Sequence, residues 1–371
     1  MKTGLIATLL ALVLAGLACG GSAPPGAIPT LSRSPFESGQ TAYGFFPTPP
    51  ELSTQSVLDT YKAIAQHADV VLLQQAIPWS DFSQGSATSS KAITNIQNQY
   101  LLAHQNGLDV IFVVDPLNGL NRREFAGLPS GWKASFGNPQ VRSAFTNFTL
   151  RIVREFHPHY LGLGSEINTY QDTHPEDYPN YLSLYRSVYD LVKAESPDTQ
   201  VFVTFQWEEL NNLIQGVAGG RKPYQTNWDQ VEAYEPKLDV WAISTYPWVG
   251  LPSAGTIPAD YYAPLVGRTA KPLAVAEGGI PTQDNGVVKG STQFQVDYLN
   301  AIHTQMGSRL AFWIYLLFND FNLASYAPTL LLQGHAGDIG TLGWFDALGL
   351  AKSDRTPKPA LAVWDQFRGN R

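Results

Sequence analysis

Eight short apolar runs, separated by longer segments of helical character, limit what this sequence can build more than any other feature. They are "TAYGFF" (41–46), "DVVLLQ" (69–74), "DVIFVV" (109–114), "YLGLGS" (160–165), "QVFVTF" (200–205), "DVWAIST" (239–245), "PLAVAE" (272–277) and "LAFWIY" (310–315). Near-continuous apolar content suits strands buried on both faces, and strands alternating with helices are the pattern of an α/β fold with a parallel sheet. The intervening segments include "STQSVLDTYKAIAQH", "NPQVRSAFTNFTLRIVREF" and "STQFQVDYLNAIHTQM", and several begin with Ser, Thr or Asn, the residues that cap helix starts. Eight strand-plus-helix units predict a single (β/α)8 barrel over residues 39–371, with a long apolar loop after the eighth strand. A doubly wound sheet is the alternative, but it calls for a glycine-rich phosphate turn that no strand end offers.

In a barrel of this kind the chemistry sits at the carboxyl ends of the strands. Glu166 ends the fourth run in "YLGLGSEIN", and Glu277 ends the seventh in "KPLAVAEGGIPT". An unpaired ionised carboxylate in an apolar setting is costly, so each acid is neutralised, paired or used. Two carboxylates at one mouth are able to divide proton transfer and nucleophilic attack between them. The competing reading is that each is paired with a buried arginine or caps a helix. Glu208 and Glu209 follow the fifth run, but they come after Trp207, where acids begin a helix.

Composition removes several classes of function. With 24 Lys+Arg against 31 Asp+Glu, a formal charge of −7 and no basic cluster, nucleic acid is excluded as the expected partner. The histidines form no metal constellation, since "HPH" at 157–159 precedes the fourth strand, so neither a metal nor a cofactor is implied. Residues 1–19, "MKTGLIATLLALVLAGLAC", read as an export signal rather than a membrane span. The only cysteine, Cys19, stands in "GLACGGS", which resembles the lipobox of bacterial lipoproteins, with Gly16 where leucine is usual. Acylation at Cys19 and a membrane anchor are expected, with simple cleavage and release as the alternative. Residues 20–38 are rich in Gly, Ser and Pro and read as a tether. The sequon at Asn147, on an expected helix, has no meaning if the chain is bacterial, as the lipobox suggests.

"GLGSEIN" and "LAVAEGGIPT" resemble the fourth and seventh strands of the glycoside hydrolases called clan A, and the likeness spans most of residues 40–368. "AEGGIPT", "ISTYPW" and "GLAKSDRTPKPALAVW" look especially like the endo-β-1,4-galactanase branch. The resemblance implies a (β/α)8 barrel in which Glu166 is the general acid/base and Glu277 the nucleophile. It also implies that Tyr246 hydrogen-bonds the nucleophile and that Trp313 in strand eight floors the sugar site. The clan usually has Asn directly before its acid/base, where it contacts the sugar; here Ser165 stands there and Asn168 lies two places after, and both are candidate substrate contacts.

Other strand ends supply supporting candidates, each with a structural competitor. Trp79, Trp207 and Trp248 follow strands two, five and six and are candidate stacking platforms, or core indoles. Asp115 and Asn118 in "VVDPLNG" are candidate hydroxyl contacts or turn-formers, and His335 lies in the loop after strand eight. The sequence therefore predicts an exported, lipid-anchored retaining glycoside hydrolase acting on a carbohydrate. Its rivals are a non-catalytic glycan-binding lipoprotein on a degenerate barrel and a barrel enzyme of another class.

Overall fold

The computed structural model describes residues 28, 29, 31, 34–85, 89–214, 221–251, 256–284, 289–332 and 338–369. Cys19, most of the expected tether and His335 lie outside the described residues. The chain forms a (β/α)8 barrel. Its strands are β1 Ala42–Phe46, β2 Val70–Ala76, β3 Asp109–Asp115, β4 Tyr160–Gly162, β5 in two segments, Gln200–Phe202 and Thr204–Gln206, β6 Trp241–Thr245, β7 Leu273–Gly278 and β8 Leu310–Leu317. All barrel pairings are parallel, running from the first half of β5 through β4, β3, β2, β1, β8, β7 and β6 to the second half of β5. The interruption at Val203 closes the ring. Tyr160, Leu161 and Gly162 pair with Gln200, Val201 and Phe202, whereas Thr204, Phe205 and Gln206 pair with Ala242, Ile243 and Ser244.

The major outer helices are α1 Thr54–His67, α2 Lys91–Gln105, α3 Pro139–Phe156, α4 Tyr178–Glu195, α5 Thr292–Met306 and α6 Pro359–Gly369. Three begin as their sequences dictate: Ser53, Asn138 and Ser291 accept from the backbone N–H groups of Ser56, Gln140 and Phe294. Strand alternation divides the aromatic side chains between two layers. Within β8, Phe312 meets Phe202 and Tyr160 inside the barrel, while Trp313 and Tyr315 turn outward onto Trp364 of α6.

Residues 34–38, at the end of the expected tether, lie against the amino-terminal face of the barrel. Ser34 donates to Asp109 at 2.6 Å, and Phe36 stacks on His159 at 4.9 Å. The mouth is at the opposite end. Among the described residues no helix is long and apolar enough to cross a membrane.

Candidate active site

Two carboxylates emerge at the carboxyl-terminal mouth, and the backbone that delivers the first is strained. After Gly162 the fourth strand does not run on to residue 165: Gly164 takes φ +148°, and a Cβ there would lie 2.7 Å from the Tyr181 hydroxyl. Glu166 adopts φ 50°, ψ 43°. A non-glycine residue in this left-handed region costs about 1–2 kcal/mol, and such strain gathers where the surroundings over-determine a functional position. The surroundings here are specific. The Glu166 N–H donates to Thr204 Oγ1 at 2.8 Å, Ser244 donates to Oε1 at 2.6 Å, and Arg122 Nε donates to Oε2 at 3.2 Å. The residue is only 3% exposed.

Arg122 comes from a hairpin, Leu117–Asn118 with Asn121–Phe125, inserted after β3. It is completely buried, and its Nη1 also pairs with Asp115 at the end of β3. Asp115 accepts further from Gln74 Nε2 at 2.6 Å and the Leu117 N–H at 3.2 Å. Burial alone pushes the guanidinium pKa down, but Asp115, Glu166 and Glu277 outweigh it and hold the group charged.

Glu277 lies on β7, 2% exposed, with Tyr246 donating to its Oε1 at 2.5 Å. Its Oε2 is buried without a partner. Packing dictates the glycine that follows, since a Cβ on Gly278 would stand 2.2 Å from the Tyr298 hydroxyl and 2.5 Å from the Thr245 carbonyl oxygen. Burial first, and the like charge of Glu166 second, raise the Glu277 pKa above the usual carboxylate range; Arg122 and the Tyr246 hydrogen bond pull the other way.

The second half of β5 ties the two acids together from below. Thr204 holds the Glu166 N–H, and Gln206 exchanges backbone hydrogen bonds with the Asn168 amide, at 2.8 and 3.1 Å. Gln206 Nε2 donates to Glu208 at 2.7 Å, and Glu208 accepts the Tyr246 N–H at 2.9 Å. Glu208 also accepts from Thr245 and Tyr261, so its buried carboxylate is fully partnered; burial nevertheless raises its pKa. Glu209 accepts from Thr169 at 2.5 Å, and its pKa is pushed up to about 7, chiefly by burial. Both glutamates lie in the short helix Trp207–Leu210, as their position after Trp207 predicts.

The structure separates the sequence candidates into two groups. Glu166, Glu277, Tyr246 and Asp115 converge on one network. Trp248 stands beside it, its ring 6.4 Å from Tyr246 and 5.9 Å from Phe345. The others are occupied elsewhere. Ser165 is hydrogen-bonded to Thr204 at 3.0 Å, and Asn168 is fixed to the Gln206 backbone. Asn118 accepts the Leu120 N–H within the hairpin turn. Trp79 donates to the Ala126 carbonyl at 2.6 Å, Trp207 packs on Trp228 and Tyr262, and Trp313 is sealed against Trp364, so none of these three indoles presents a stacking face. Sequence reasoning missed Arg122, Ser244, Thr204 and Gln206. Among the described residues no group of three His, Cys, Asp or Glu side chains is placed to hold a metal ion.

Comparison with known proteins places this geometry on a widespread barrel. No family model matches the chain, and no curated protein does. Solved structures do. A GH5_18 protein from Streptomyces cattleya in complex with Manβ1-4GlcNAc aligns with a TM-score of 0.62 at 17% identity, over 90% of this chain and 81% of that one. An exo-β-1,4-mannosidase from Opitutaceae bacterium strain TAV5 aligns at 0.61 and 14% identity; 89% of this chain is covered, spanning 59% of the length of that enzyme. The galactanase likeness is present as well: a fungal β-1,4-galactanase aligns at 0.52 and 15% identity, over 89% of this chain and 95% of that chain. At these identities the likeness is one of fold.

Proposed function

We propose that the chain is a retaining glycoside hydrolase that cleaves a β-glycosidic bond by double displacement. Glu277 attacks the anomeric carbon; Glu166 protonates the leaving oxygen and then activates water. The observation that carries this reading is the pair of buried carboxylates, one after β4 delivered by a strained backbone and one on β7 with a free, desolvated oxygen. The barrel shared with a mannosidase and a galactanase supports it. A purely glycan-binding role is less well supported, because Trp79, Trp207 and Trp313 are spent on packing.

The test is a panel of β-mannans, xylans and galactans with purified protein, following the first anomer released by proton NMR. Retention of configuration is the expected result, as for carboxylates about 5–5.5 Å apart. An inverted product would sink the mechanism.

The pH profile gives a second check. The Tyr246 hydroxyl donates to Glu277, which favours the ionised, attacking form. In Tyr246→Phe that support is gone and the Glu277 pKa rises further, so less nucleophile is present at neutral pH. A hydrogen bond to a charged group contributes about 1.5–3 kcal/mol, so the rising limb of kcat/KM should move to higher pH by roughly one to two units. A profile that stays in place would show that Glu277 is not the group that must ionise.

Export and acylation at Cys19 are proposed from residues 1–19 alone. Cys19→Ser should shift the protein from the membrane fraction to the soluble one; equal partitioning of parent and variant would leave an ordinary cleaved signal.

A further inference from the structure

The sequence places residues 20–38 in a tether, yet four described residues of its second half are fixed to the barrel. Ile28 packs against the core, and the Pro29 carbonyl accepts from His104 Nδ1, in the last turn of α2, at 2.6 Å. Ser34 caps the short turn Pro35–Ser38 and donates to Asp109, the first residue of β3. Phe36 closes the end of the barrel. Its ring lies flat on His159 and meets Tyr160 edge-on, both at 4.9 Å, and Tyr160 in turn meets Phe312 inside the barrel at 5.0 Å. Asp109, His159 and Tyr160 stand at the amino-terminal ends of their strands, whereas Glu166 and Glu277 stand at the carboxyl-terminal ends. The seven residues of β3 alone set these two ends about 20 Å apart.

Docking shortens the length of chain that joins Cys19 to the barrel. Fully extended, the path from Cys19 to Gly39 is about 65 Å, but with Ile28 fixed the path from Cys19 is only about 30 Å. A compact domain of about 330 residues has a radius of gyration of about 20 Å, hence a diameter of about 50 Å. The longer path exceeds that diameter and the shorter one falls below it. A barrel held by the longer path is free to turn its mouth toward the surface that holds Cys19. One held by the shorter path is not.

We propose that the protein, acylated at Cys19, stands on a lipid surface with the amino-terminal end of the barrel facing the bilayer and the mouth directed away from it, an orientation enforced by the docking of Ile28, Pro29, Ser34 and Phe36. The inference rests on the acylation proposed above and is independent of the hydrolase reading.

The experiment uses the full acylated chain in phospholipid vesicles that carry a fluorescent energy acceptor on a fraction of the headgroups. Cys19 is the only cysteine in the sequence and acylation consumes its thiol, so an introduced cysteine takes the donor dye alone. Asp198→Cys labels an exposed site before β5 at the amino-terminal end, and Glu124→Cys labels an exposed site on the hairpin beside the mouth. Energy transfer from the Asp198→Cys label should be about fivefold or more stronger than from the Glu124→Cys label, since the domain diameter separates the two heights. Adding Phe36→Asp, which undocks the segment, should bring the ratio toward one. Because that change also removes packing from the barrel end, a second variant leaves every contact in place: about fifteen Gly/Ser residues inserted between residues 24 and 25 add about 50 Å of reach and should relax the ratio in the same way. Equal transfer from both sites in a vesicle-bound parent overturns the orientation and leaves acylation standing. A strong ratio that neither variant relaxes shows that docking does not enforce it, and the proposal falls. A parent that does not hold to vesicles overturns acylation and orientation together.

Discussion

Glu277→Ala should abolish turnover on every substrate, including aryl glycosides whose leaving group needs no proton. Without the β7 carboxylate no glycosyl-enzyme forms, and removal of a nucleophile of this kind costs about four to six orders of magnitude in kcat. Glu166→Ala should fail differently. With an activated aryl glycoside it still permits attack, then stalls at hydrolysis because the base is missing, and azide restores turnover and appears on the sugar with retained configuration. The measurements are burst kinetics and product stereochemistry. Near-parental activity in both variants would make the acids structural and strengthen the glycan-binding alternative; loss confined to Glu208 or Glu209 variants would place the active site one strand away.

Replacing Arg122 with methionine should produce the largest change in stability. The guanidinium is completely buried between Asp115 and Glu166, so its removal leaves two carboxylates in the barrel mouth with no counter-cation. Breaking a buried ion pair from one side costs about 3–5 kcal/mol, because the partner's charge is left uncompensated. Denaturant unfolding of parent and Arg122→Met should show a loss of this size. Arg122→Lys should recover little of it, since an ammonium lacks the planar fork that reaches both carboxylates. Adding Asp115→Asn to Arg122→Met should restore part of the loss, as expected for groups in one network. If Arg122→Met unfolds within 1 kcal/mol of the parent, the arginine is not what compensates these acids.

The barrel was legible because its signal is periodic and repeated, and an error in one strand does not disturb the others. Glu166 and Glu277 were legible because each stands where an apolar run ends. Arg122 was not. It sits in "GLNRREF", which reads as a polar loop, and its burial is decided by Asp115 and by Glu166, 44 residues away. Ser244 was hidden for the opposite reason: within "AIST" it reads as ordinary strand content, and only barrel closure brings it to Glu166, 78 residues earlier. The tryptophans show the limit of reading strand ends by residue type. Trp313 has the right strand, but it turns outward where its neighbour Phe312 turns in, and the apolar face of α6 is there to receive it. The break in β5 was also invisible, because "QVFVTF" reads as one continuous run and what divides it is the identity of its two neighbours.

That divided strand has a consequence for how such a molecule diversifies. Thr204, Gln206 and Glu208 fix Glu166 on one side and Tyr246, with Glu277 behind it, on the other. The geometry of the two acids is thus inherited from a short stretch of strand and the turn after it, not from the longer loops at the rim. Loops at the rim can be lengthened, shortened or exchanged while the two carboxylates keep their spacing. Drift within residues 204–208, by contrast, reaches both acids at once.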